Sequence, residues 1–149
     1  SHVFLDEVRA LAPEAAGYIV DMIALLAKDA AAKGIGRAFL LASEGTIASG
    51  IYQDRFGAEG LEVVPAGDEM QARLRDFIET VMQNRVDDTA KAEFAAFVRG
   101  LGEPDVILGC TELPLLVDGP VEGVELLDPM QAAIDYVVRV RADAKRPIR

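Results

Sequence analysis

The sequence predicts an α/β fold, a parallel sheet flanked by helices, and three observations carry that expectation. Four short apolar runs, at residues 37–42, 61–65, 106–108 and 124–127, have the length of buried strands. Between them lie longer stretches whose apolar residues recur at helical spacing. Glycine and proline mark the joints. Strands alternating with helices imply βαβ units, and therefore a parallel sheet covered on both faces.

In chain order, Val3, Phe4, Val8 and Leu11 fall at helical spacing, and Pro13 closes this first helix. A second helix over 18–33 is rich in Ala, Leu, Ile and Met, with Gly34 placed to end it. The strand at 37–42 follows Gly36. The loop Ser43-Glu44-Gly45-Thr46 comes next, with Thr46 positioned to cap a helix over 47–59. A strand at 61–65 leads to an amphipathic helix over 69–84, with Met70, Leu74, Phe77, Ile78 and Val81 on one face. Another helix, over 89–101, turns Phe94, Phe97, Val98 and Leu101 inward. The strand at 106–108 is followed by a loop through Gly119-Pro120 and a short strand at 124–127. Asp128 is the expected N-cap, and Pro129 the first turn, of a last helix ending near residue 144.

At 149 residues, 51% of them apolar, the chain has the material for a packed core. Its 25 acidic residues against 15 basic ones give a formal charge of -10. That balance argues against nucleic acid and against an anionic membrane surface as partners. It leaves a small anionic substrate open, because one pocket can be positive on a negative protein. No apolar stretch has membrane-spanning length, the longest candidate being broken by Asp21, Lys28 and Asp29. One cysteine excludes an internal disulfide and suits a reducing cytoplasm. One histidine and one cysteine cannot assemble a structural zinc site. Gly34-Ile35-Gly36 lacks the third glycine of a dinucleotide loop and follows no strand. Neither a metal nor a cofactor is expected.

The chemistry concentrates at Gly109-Cys110-Thr111-Glu112, where the third apolar run ends. A thiol just past the carboxyl end of a parallel strand stands where such sheets place their ligands. Local backbone N–H groups there are suited to stabilising a thiolate. A cysteine can equally serve as a small buried hydrophobe, but that role has no need of a hydroxyl and a carboxylate directly after it. Glu112 would raise the thiol's pKa, so it is expected to orient a neighbour or bind a substrate ammonium.

The run Ile107-Leu108-Gly109-Cys110-Thr111-Glu112-Leu113-Pro114-Leu115-Leu116 resembles the second cysteine motif of the aspartate/glutamate racemase superfamily. Glu112 resembles the aspartate racemase branch, since glutamate racemases usually carry His there. Leu40-Leu41-Ala42-Ser43-Glu44-Gly45-Thr46-Ile47, with Tyr52 and Arg55 downstream, is similar to the family's Leu-Leu-Gly-Thr segment, its later Thr-Met, and a following Tyr and Arg. Thr46 matches the second family threonine, and Ser43 keeps a hydroxyl in place of the first. Leu126-Leu127-Asp128-Pro129 resembles a strand-to-helix turn that often reads Phe-Asp-Thr. The Ile-His often found after that turn is replaced by Met130-Gln131, so no role for that histidine carries over.

The resemblance implies the C-terminal part of a two-domain fold. Residues 1–16 would be a remnant of the first domain, 17–120 the domain carrying Cys110, and 121–149 a strand and helix returning to the first. It implies a cytoplasmic, cofactor-independent amino-acid racemase, a homodimer, acting on aspartate or glutamate with two opposed cysteines. Cys110 would be the second of these, with Thr111, Glu112, Thr46 and Ser43 binding substrate. The first cysteine would precede Ser1, because Ser1 to Val8 is similar to the segment just downstream of the family's first motif; a tag remnant is the other reading of His2. The competing readings are a single-cysteine decarboxylase or isomerase of the same superfamily and a non-catalytic dicarboxylate-binding module. A catalytic Cys110 is expected to react with iodoacetamide faster than free cysteine at neutral pH.

Overall fold

The computed structural model describes residues 4–14 and 19–144. The readings placed on His2, on Tyr18 and on the basic tail lie outside the described residues. The elements run α1 (Leu5–Leu11), α2 (Met22–Ala32), β1 (Arg37–Leu41), α3 (Glu44–Ser49), α4 (Ile51–Gly57), β2 (Glu62–Pro65), α5 (Asp68–Met82), α6 (Asp88–Gly100), β3 (Asp105–Leu108), a 3-10 turn (Leu113–Leu116), β4 (Glu125–Leu127) and α7 (Pro129–Ala144). The four strands form one sheet in the order β2-β1-β3-β4, every pair parallel. Leu41 stands opposite Leu108, and Ile107 opposite Leu127.

The alternation of side chains along a strand divides the interior in two. Ala38, Leu40, Ala42 and Ile107 face one layer, with Ile23, Leu26 and Ala30 of α2, Tyr52 and Phe56 of α4, and Ala132 of α7. Phe39, Leu41, Val106 and Leu108 face the other, with Leu74 and Phe77 of α5, Phe94 and Val98 of α6, and Leu113 and Leu116. Both faces are covered, which is why β1 and β3 are apolar without a break.

The structure differs from the sequence reading at four places. The second helix starts at Met22 because the Asp21 side chain accepts the Ala24 N–H at 3.0 Å and caps it there. The helix expected over 47–59 is two helices, divided at Gly50, whose φ of 68° only glycine adopts freely. Ser43, not Thr46, is the N-cap of the first of them, so Thr46 sits inside its opening turn. In α1 the expected apolar face is exposed at Phe4, Val8 and Leu11, and the buried residue is Leu5. β4 hydrogen-bonds to β3, and α7 packs on α2, so both belong to this layer structure. No helix among the described residues is long and apolar enough to cross a membrane.

Candidate active site

The chain leaves β1 toward α3 and α4 on one face of the sheet. It leaves β3 toward the 3-10 turn on the other. Adjacent strands whose exits diverge open a crevice at their carboxyl ends, where α/β sheets bind ligands. Ser43 follows β1 and Cys110 follows β3 at this edge. The backbones meet closely just below: the Gly109 N–H donates to the Leu41 carbonyl at 2.7 Å. A Cβ at 109 would lie 2.7 Å from Leu40 Cδ1, 2.9 Å from Ala42 Cβ and 3.2 Å from the Leu41 oxygen. Gly109→Ala must therefore push β1 and β3 apart. The expected cost is about 1–3 kcal/mol, the range for overpacking a filled core, read as a lower urea midpoint.

Cys110, Thr111 and Glu112 come together within one turn. The half-buried Cys110 thiol donates to Glu112 Oε2 at 2.8 Å, and the Thr111 hydroxyl donates to the same oxygen at 3.0 Å. Burial pushes the thiol pKa up from its ordinary 9.0 to about 11, and the bond to the Glu112 carboxylate pushes the same way. The backbone N–H groups of Glu112 and Thr111 oppose this and lose. Glu112 in turn is held below the usual carboxylate range, first by the thiol and then by the Thr111 hydroxyl.

The thiolate expected from the sequence is thus a protonated thiol in this structure. A pKa of about 11 rather than 9.0 leaves about a hundredfold less thiolate at pH 7. Iodoacetamide should label Cys110 more slowly than free cysteine, with a rate still climbing at pH 10. Glu112→Gln removes the neighbouring anion and lowers the thiol pKa, so labelling at pH 8 should speed up several-fold. Unchanged labelling in that variant would show that Glu112 has no hold on the thiol.

Ser43 and Thr46 form a separate pair at the end of β1. Their hydroxyls lie 3.0 Å apart, and Ser43 Oγ accepts the Thr46 N–H at 3.4 Å. Neither lines the small cavity beside the sulfur, which is bordered by Tyr52, Cys110, Thr111 and Asp128. Asp128 is the helix cap that the sequence predicts, accepting the Met130 N–H at 2.8 Å, but it also borders the cavity. The signal for this second role is its place just after β4, at the same carboxyl edge as Cys110. Arg55 lies one turn along α4 from Tyr52 and donates to the buried Asp21 at 2.9 Å. Among the described residues no group of three His, Cys, Asp or Glu side chains is arranged to hold a metal ion.

A family model described as Asp/Glu/hydantoin racemase matches residues 1–137. The chain belongs to the Asp/Glu/hydantoin racemase family. Among solved structures, it is similar to an aspartate racemase homologue from Pyrococcus horikoshii OT3, at 26% identity and a TM-score of 0.68, over 83% of this chain and 56% of that one. It is also similar in fold to the Picrophilus torridus aspartate racemase, at 22% identity and a TM-score of 0.67, over 81% of this chain and 52% of that one. The chain spans just over half the length of both.

Within this family member, then, the carboxyl ends of two neighbouring strands carry two sets of polar groups. From β3 come a thiol with its proton in place, a hydroxyl and a carboxylate. From the end of β1 come two hydroxyls. The first set can give a proton to carbon, and the second can donate hydrogen bonds to an anion.

Proposed function

We propose that the chain supplies one half of a cofactor-independent amino-acid racemase, with Cys110 as the acid–base group on one face of the substrate's α-carbon. The observation that carries this is the protonated Cys110 thiol at the mouth of the β1/β3 crevice, in a member of a racemase family. Racemisation takes a weakly acidic α-proton from one face and returns one to the other. A single base would restore the proton it removed, so two opposed groups are needed. In the direction that starts from this structure, a second thiolate takes the α-proton. The Cys110 S–H bond then breaks as its proton joins the opposite face of the carbanion. Cys110 is left as a thiolate beside the Glu112 carboxylate, a pairing of like charges that favours reprotonation.

Charge developing on the α-carboxylate needs donors fixed in advance, each worth a few kcal/mol when well aimed. Thr111, Thr46 and Ser43 fill this role, and Glu112 holds the thiol in its donor state. Aspartate is the proposed substrate, with glutamate next. With one cysteine in 149 residues, the opposing thiol must come from outside this sequence. In D₂O, the chain alone should not exchange the α-proton of L- or D-aspartate, whereas a longer polypeptide bringing the opposing thiol should. Sustained racemisation by the 149-residue chain alone would refute the two-thiol mechanism.

A further inference from the structure

Beside the Cys110 sulfur lies a cavity of about 30 Å³, bordered by Met22, Tyr52, Thr111, Asp128 and Met130 among others. That volume admits one group the size of a water molecule or an ammonium. Its polar lining is unusual in two respects. Tyr52 is only 3% exposed, yet its hydroxyl has no hydrogen-bond partner among the described residues. The Tyr52 oxygen is not among the fully buried polar atoms left without a partner, so it keeps accessible surface where Tyr52 borders the cavity. Asp128 commits one carboxylate oxygen to the Met130 N–H and keeps the other. No lysine, arginine or histidine borders the cavity.

We propose that this cavity seats the ammonium of an α-amino acid, with the Asp128 carboxylate and the Tyr52 hydroxyl oxygen as acceptors. The inference rests on the racemase reading for its claim that the occupant is substrate. It makes Asp128 and Tyr52 specificity-determining: an amine-free dicarboxylate would meet a carboxylate with no cation to offset it. An ammonium is bonded directly to the α-carbon, so a seat next to the sulfur brings that carbon within reach of Cys110. Burial, followed by the charges of Asp128 and Cys110, keeps the Tyr52 phenol neutral far above physiological pH. Its oxygen therefore remains an acceptor that carries no charge of its own. The ammonium role that the sequence suggested for Glu112 passes to Asp128, since Glu112 does not border the cavity and is occupied by the thiol and Thr111.

Alkylation of Cys110 by reagents of opposite charge tests the seat without requiring turnover. The probes are 2-bromoethylammonium and iodoacetate at pH 7.5, followed by intact mass. In each case the sulfur forms a bond to carbon, a halide leaves and the thiol proton goes to solvent. The readout is the ratio of the two rates, in which any change of thiol pKa cancels. Relative to a cysteine peptide, the wild-type ratio should favour the ammonium reagent by about tenfold, the effect of one well-formed ionic contact. Asp128→Asn, which retains a good helix cap, should bring the ratio to within about threefold of the peptide's. Tyr52→Phe changes no charge and should lower it about threefold. Wild-type ratios in both variants would overturn the proposal. Failure of the longer protein to exchange the α-proton of any amino acid would instead overturn the racemase reading, leaving the selectivity of the cavity standing.

Discussion

Cys110→Ala, made in a polypeptide that carries both halves of the site, should lower α-proton exchange of L- and D-aspartate by about 10²–10⁴-fold. This is the range for removing a positioned acid–base group. The binding groups remain, so KM should move far less than kcat. Cys110→Ser should fare nearly as badly, because a hydroxyl is a far weaker acid than a thiol and neither gives its proton to carbon readily nor ionises to act as the base. Both variants should lower the unfolding midpoint only slightly, since the half-buried sulfur packs at the edge of the core. Deuterium incorporation followed by proton NMR measures the loss. An alanine variant within tenfold of wild type would show that Cys110 carries no proton.

The second large effect concerns stability and reaches the same site indirectly. Arg55→Ala should cost about 3 kcal/mol, the lower end of the range for stripping one partner from a buried ion pair. Asp21 is 8% exposed, and both its oxygens are in use: one accepts the Ala24 N–H at 3.0 Å, the other the Arg55 Nε–H at 2.9 Å. Without the guanidinium, the buried carboxylate loses its hydrogen-bonded cation and keeps the start of α2 as an offset. The two helices joined by this pair are those that present Met22 and Tyr52 to the cavity. Urea denaturation should show a lower midpoint with an unchanged slope. A change below about 1 kcal/mol would mean that water replaces the guanidinium without loss.

The sheet was legible because its information is local. Each strand is a short apolar run between glycines, prolines or charges, and two-sided burial made β1 and β3 uninterrupted. Cys110, Thr111 and Glu112 were legible together for the same reason, being consecutive residues in one turn. The break at Gly50 was not, because Ile47 before it and Ile51 and Phe56 after it continue an apolar pattern across the turn. The cap is ambiguous in sequence because Ser43 and Thr46 both carry hydroxyls, and only the backbone decides which lies outside the helix. The protonation state of the thiol turned on burial, which no run of residues displays. Convergence of Tyr52 and Asp128 beside Cys110 brings together residues far apart in the chain. So does the pairing of Asp21 with Arg55, 34 positions apart.

Because residue 109 has no side chain, the sulfur follows a seam where β1 and β3 approach too closely to admit a Cβ. The close approach at Gly109 fixes the main chain from which the Cys110 side chain starts. At that seam even one added methyl group would shift the strand that leads into Cys110.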